Sequence, residues 1–202
     1  MLTALLTGFV LGGSLIIAIG AQNAFILRQG LLKHHVFPLV LFCATSDALL
    51  ILVGVAGFGE VIRSAPNLLK AATWGGGAFL LWYGFTAFRR AMFPDAMQAD
   101  DDKSRMSLRN ALLQCAAFTW LNPHVYLDTV LLVGGISATF GENRWWYAFG
   151  AASASFAWFF ALGYGARLLI PLFAKPMAWR ILDAGIGCIM WLLAISLLTS
   201  SL

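Results

Sequence analysis

Six stretches of this chain run for about twenty residues with almost no charge: about 3–26, 37–59, 71–88, 111–135, 146–166 and 184–200. An α-helix needs about 20 apolar residues to cross the ~30 Å hydrocarbon core of a bilayer. In lipid every backbone N–H and C=O must be satisfied within the segment, so such stretches are helices and not strands. The pattern therefore predicts an all-α integral membrane protein with about six transmembrane helices in one domain, residues 1–202. The uncharged run Leu2–Leu27 lacks the basic start of a secretory signal and exceeds its short apolar core, so it is expected to stay in the mature protein.

The polar residues between these stretches set the orientation. The loops after helices 1, 3 and 5 carry Arg28 and Lys33; Arg89, Arg90, Lys103, Arg105 and Arg109; and Arg167, Lys175 and Arg180. The other side carries only Arg63, Lys70 and Arg144. The positive-inside rule then places the richer side in the cytoplasm and both termini outside. A re-entrant first segment would bring the N-terminus inside without moving any loop. The long polar stretch 89–110, with Asp100, Asp101 and Asp102 beside Lys103 and Arg105, reads as a solvated cytoplasmic connector.

Composition supports lipid as the solvent. The chain is 60% hydrophobic and 11% charged, against roughly 25% charged residues in a soluble domain. The net charge of +4 sits in the loops, which makes it a topology signal and argues against nucleic acid as a partner. Cys43, Cys115 and Cys188 lie in three different apolar segments without metal-ligand spacing. No HExxH, P-loop or dinucleotide fingerprint occurs, so neither a metal site nor a cofactor is expected.

A faint repeat aligns Trp82 with Trp191, Gly76 with Gly185 and Ala78 with Gly187. Two halves of three helices must insert with opposite orientation, because three is odd. That is the inverted repeat of secondary transporters, which bind their substrate near the midplane.

Inside the apolar stretches, a few polar residues carry the candidate chemistry. Asp47 has 11 uncharged residues before it from Val36 and 12 after it to Gly59. An aspartate at the bilayer centre costs about 2.5–3.5 kcal/mol on insertion scales, so it should face the interior and find a partner. That partner is either a substrate or proton, or a Ser, Thr or amide on a neighbouring helix. Asp128 follows Asn122-Pro123 in the fourth stretch. Pro123 has no N–H and crowds the carbonyl of Thr119, so a kink or opening is expected there. His124 and Asp128 are four residues apart and can share a helix face as a pair. Gln22 and Asn23, near the end of the first stretch, can hold a ligand or cross-link helices, and Asn122 is a candidate counterpart of Asn23 in the second half, at a different depth in its helix. Asp183 reads as an interfacial residue at the start of helix 6, where negative charge is favoured.

These residues fall in strings with a specific likeness. Gly20-Ala-Gln-Asn-Ala-Phe25, Ser46-Asp47, Phe79-Leu-Leu-Trp-Tyr-Gly84 and Thr119-Trp-Leu-Asn-Pro-His-Val-Tyr-Leu-Asp-Thr129 resemble the LysE/ArgO family of bacterial basic amino acid exporters, over essentially the whole chain. The long string in helix 4 is nearest to the arginine exporters. The resemblance implies a multi-pass protein of the bacterial inner membrane that expels L-arginine, and extends to lysine and analogues such as canavanine. Members often carry prolines around the first string, where this chain has Ala18 and Ala21; a more regular helix 1 is expected here.

Moving one positive charge outward against an inside-negative potential costs about 2.3 kcal/mol per 100 mV. Uphill export of a cationic amino acid then requires a coupling ion, most simply an entering proton. A carboxylate can hold either a guanidinium or a proton, which makes Asp47 and Asp128 the expected exchange residues, with Asn23, Asn122 and Gln22 orienting the ligand. Which aspartate takes which partner is left open, as is homo-oligomer formation. The alternative within transport is an exporter of neutral amino acids or metal cations. A membrane enzyme using His124 and Asp128 lacks a nucleophile or metal, so no enzymatic activity is expected.

Overall fold

The structure is a computed structural model that describes residues 1–17, 20–59, 64–93 and 106–199. Arg63, Ala18 and the Asp100–Arg105 run of the expected cytoplasmic loop lie outside the described residues. The helices are α1 (Leu2–Ile17), α2 (Ala21–Leu32), α3 (Val36–Val53), α4 (Pro66–Met92), α5 (Leu108–Trp120), α6 (Pro123–Val125), α7 (Val133–Ala138), α8 (Arg144–Gly165) and α9 (Pro176–Thr199). Two π-helical segments, Gly54–Phe58 and Tyr126–Leu132, extend α3 and join α6 to α7. No strand occurs among the described residues.

Two expected spans prove to be broken. The stretch 3–26 is not one helix: α1 and α2 meet at 79°, and Gly20 between them is extended at φ −126°, ψ 169°. The expectation of a regular helix 1 from Ala18 and Ala21 is thus overturned, because the chain leaves helical geometry at Gly20 without a local proline.

The stretch 111–135 is also interrupted, between Trp120 and Pro123. Pro123 has no N–H to offer the Thr119 carbonyl, and the Thr119 hydroxyl donates one turn back to Cys115 O at 3.0 Å. The His124 N–H, which a continuous helix would give to Trp120, goes to Asn122 Oδ1 at 3.1 Å. The Tyr126 hydroxyl then donates to the orphaned Trp120 carbonyl at 2.7 Å. A break inside an apolar bundle persists only when its freed backbone groups are satisfied in this way.

The third and sixth stretches extend further than expected, to Pro66–Met92 and Pro176–Thr199. Charge limited the expectation to 71–88 and 184–200, but Arg89, Arg90, Arg180 and Asp183 are all helical. Among the described residues three helical runs are long and apolar enough to cross a membrane (Val36–Phe58, Gly141–Ala174 and Pro176–Thr199), and a fourth is added if the bent α1–α2 pair is one span.

The packing follows a crossed scheme. Broken α1–α2 lies alongside α8 in the same chain direction, with Gly8 against Tyr147, Gly12 against Ala151 and Gly30 against Gly163. Broken α5–α7 lies alongside α3 in the same direction, from Cys43 beside Cys115 to Gly54 beside Val130. At Gly54 a Cβ would stand 2.6 Å from the Val130 carbonyl oxygen, so only glycine lets the two π segments touch. The unbroken α3 and α8 cross antiparallel, and so do α4 and α9, where Trp191 Nε1 donates to Leu81 O at 3.2 Å. Phe25, Leu39, Val40, Cys43, Phe159 and Met190 fill the centre.

Candidate functional site

Where the two helix breaks face each other, the bundle encloses a cavity of about 270 Å³. This lies just below the ~300 Å³ at which small-molecule pockets usually begin, a size for one small metabolite. Six of the residues picked from the sequence line it: Gln22 and Asn23 from the start of α2, Asp47 from α3, and Asn122, His124 and Asp128 from beyond the second break. Pro123 is buried at the break itself. Polar residues from three separate apolar stretches therefore converge on one space, floored by Phe79 and Phe118.

Each polar group has a definite setting. Asp47 is 7% exposed, and its Oδ2 accepts a hydrogen bond from Ser155 Oγ at 2.8 Å. Its Oδ1 takes no hydrogen bond from the described residues, so half of this carboxylate is fixed and half is available to the cavity. The tie to a neighbouring helix is formed, and the same side chain lines the cavity. Asn23 is a cross-link, donating from Nδ2 to Ile16 O at 2.7 Å and accepting from Trp158 Nε1 at 3.2 Å. It fastens α2 to α1 across the break and to α8. Gln22 lines the cavity with a buried Nε2 that has no acceptor among the described residues.

Across the cavity, Asn122 acts as N-cap of the second half-helix through its bond from His124 N. Asp128 is exposed in the π segment. The expected His124–Asp128 pair is not formed. A π turn closes on i+5 rather than i+4, so the four-residue spacing no longer stacks the two side chains. The start of α2 has no side-chain cap at Gly20. Its first-turn N–H groups, like those of any helix, lack intrahelical acceptors and carry partial positive charge.

Two features escaped the sequence reading. Asp183, expected as an interfacial residue, is buried at 4% exposure inside α9, and one of its oxygens accepts from both Arg28 Nε at 2.9 Å and Arg90 Nε at 3.1 Å. The signal was present in that both arginines and Asp183 flank apolar stretches at the same end of the bundle. Cys43 and Cys115, which sequence spacing keeps apart, meet with their sulfurs at 3.0 Å as free thiols. Among the described residues no group of three or more His, Cys, Asp or Glu is arranged to hold a metal ion. The cavity instead offers carboxylates, amides and an uncapped helix start, a set that suits a small polar ligand with both charges.

Comparison with known proteins agrees with that geometry. The chain is 40% identical over 191 residues to the arginine exporter protein ArgO of Escherichia coli strain K12, covering 94% of this chain and 90% of that protein. It is 39% identical over 198 residues to the arginine exporter proteins ArgO of Enterobacter sp. strain 638 and of Salmonella typhimurium strain LT2, covering 98% of this chain and 94% of each relative. No solved structure matches it. Residues 13–201 match the LysE type translocator family. These matches span nearly the whole chain, both breaks and the cavity included, and the protein belongs to the LysE family of membrane translocators.

Proposed function

We propose that this protein is a secondary active exporter of L-arginine across the bacterial inner membrane, acting also on lysine and canavanine and driven by proton entry. The observation that carries the reading is the convergence of Asp47 and Asp128 with Gln22, Asn23 and Asn122 on one cavity. The Oδ1 of Asp47 and the carboxylate of Asp128, neither paired among the described residues, suit a guanidinium, which carboxylates bind through paired charge-assisted hydrogen bonds. The uncapped start of α2 and the Gln22 amide suit the substrate's α-carboxylate. When the cation leaves, the same aspartates can take up a proton, so one pair of groups serves both cargoes.

In this reading α4 and the broken α5–α7 run complete six spans, arranged as two inverted three-helix repeats. The crossed packing supports it: broken α1–α2 pairs with unbroken α8, and broken α5–α7 with unbroken α3. A two-fold axis in the membrane plane exchanges these pairs and turns α4 into antiparallel α9. The basic loops lie in the cytoplasm. The test is counterflow of labelled L-arginine in proteoliposomes, comparing wild type with Asp47→Asn and Asp128→Asn. Loss of uptake in both variants, and stimulation of wild-type export by an inward proton gradient, support the proposal; full transport by both variants ends it.

A further inference from the structure

The buried ion cluster of Arg28, Arg90 and Asp183 is not needed to hold a ligand in the cavity, and it is a poor choice for a static brace. Two guanidinium groups share one carboxylate oxygen, which leaves an excess positive charge. Arg28 and Asp183 have side chains only 8% and 6% exposed. Among the described residues the buried Arg90 Nη2 has no acceptor, and its Nη1 reaches only Thr86 Oγ1, at 3.4 Å. Incompletely paired buried charge is costly, and replacing such clusters by apolar residues often stabilises a protein. Such an arrangement fits a contact that forms in one state and parts in another.

Its place in the bundle says which state. The cluster joins α2, α4 and α9, three helices that also line the cavity. On each, the order from the cavity is the same: a lining residue, then an apolar layer, then the charge. Asn23, Phe25 and Arg28 follow this order on α2; Leu80, Tyr83 and Arg90 on α4; Leu193, Met190 and Asp183 on α9. The cluster thus sits roughly 15 Å along α4 from the cavity wall. The layer between is closed by aromatic rings: Tyr83 and Phe118 have centroids 5.0 Å apart, and Phe25 stands 5.4 Å from Phe118. Arg90 lies over the Tyr83 ring at 5.5 Å, tying the charges to the plug. Away from this floor, Asp128 and His124 are exposed.

We propose that Arg28, Arg90 and Asp183 are the cytoplasmic gate of the transporter: they lock the Phe25–Tyr83–Phe118 plug shut in this outward-facing state, and part to admit substrate from the cytoplasm. The side assigned to the gate rests on the topology proposed above; the gate itself does not depend on which solute is carried. Opening requires Asp183 on α9 to move away from Arg28 on α2, which unseats the aromatic layer and joins the cavity to the other side.

The experiment reads accessibility. Cys43, Cys115 and Cys188 are replaced by alanine, and Ala117→Cys on the cavity wall is labelled with a membrane-impermeant maleimide in vesicles of each orientation. With the gate intact, labelling is expected from the external face and slow from the cytoplasmic face. Asp183→Asn, which weakens both ion pairs, is expected to raise the cytoplasmic rate about tenfold or more, the effect of moving a two-state balance by one decade. Asp183→Glu should restore the slow rate. Arg90→Gln removes the Arg90–Asp183 pair and the hold of Arg90 on the Tyr83 ring but keeps the Arg28–Asp183 pair, so it should fold and raise the rate by less. An unchanged cytoplasmic rate in Asp183→Asn and Arg90→Gln overturns the gate, and so does an equal rise at both faces, which is general loosening. A rise confined to the external face supports the gate and overturns the proposed orientation. If Asp183→Asn does not fold, the Arg90→Gln rate decides alone.

Discussion

The half-bound carboxylate of Asp47 allows its structural and transport roles to be separated. Ser155 Oγ donates to Oδ2 at 2.8 Å, and Oδ1 is left to the cavity. In Asp47→Asn the amide oxygen can still accept from Ser155, so the α3–α8 tie survives while the negative charge is lost. A hydrogen bond to a charged group contributes about 1.5–3 kcal/mol, so losing it should raise the KM for arginine by roughly 10- to 150-fold at 1.4 kcal/mol per decade. Thermal stability in detergent should change little. Ser155→Ala does the reverse. It removes an interhelical bond of the kind that contributes about 0.6–1.7 kcal/mol in membrane proteins, or roughly 1–7 °C in Tm for a chain of this size, while Asp47 keeps its charge and substrate affinity falls far less. The assay is arginine counterflow over a concentration series, with thermal unfolding followed on the same preparations. If Asp47→Asn has a wild-type KM, or Ser155→Ala weakens affinity as much as Asp47→Asn does, the division of labour between the two oxygens is wrong.

Other outcomes follow from the same geometry. Agmatine, which is arginine without its carboxylate, should compete about tenfold or more weakly than arginine in the counterflow assay, because the start of α2 and Gln22 lose their acceptor; equal competition would remove the carboxylate subsite. Tyr126→Phe should lower stability by about 0.6–1.7 kcal/mol, since it orphans the Trp120 carbonyl at the second break; an unchanged melting curve would mean that another donor closes that break. Gly150→Val should destabilise the bundle by about 1–3 kcal/mol or more, because its Cβ would fall on the main chain of Leu5. Gly135→Ala, with nothing within 4 Å of the added carbon, should be neutral or slightly stabilising in the same melts.

Much of this was legible in the sequence, and the reasons for what was not are physical. A carboxylate in mid-helix is costly enough in lipid to announce itself, so Asp47 and Asp128 stand out from one chain alone. The Asn122-Pro123 pair likewise marks its break through a missing N–H. The first break has no such mark, because Gly20 adopts an extended conformation that many residues could adopt. The His124–Asp128 pairing failed because spacing arguments assume a 3.6-residue turn, and nothing in the residues themselves signals that Tyr126–Leu132 winds as a π-helix. Asp183 was misplaced because charge was taken to mark a helix end. Its partners Arg28 and Arg90 lie 155 and 93 residues away, and only the tertiary fold brings them to one carboxylate oxygen.

The central claim is that one cavity holds the cargo between Asp47 and Asp128, and it is tested most directly by determining the structure with L-arginine bound. The account predicts density for one arginine in the cavity, its guanidinium within hydrogen-bonding distance of Asp47 Oδ1 or Asp128 and its carboxylate toward Gly20–Asn23. Arginine bound elsewhere in the bundle, with this cavity empty at saturating ligand, would contradict it.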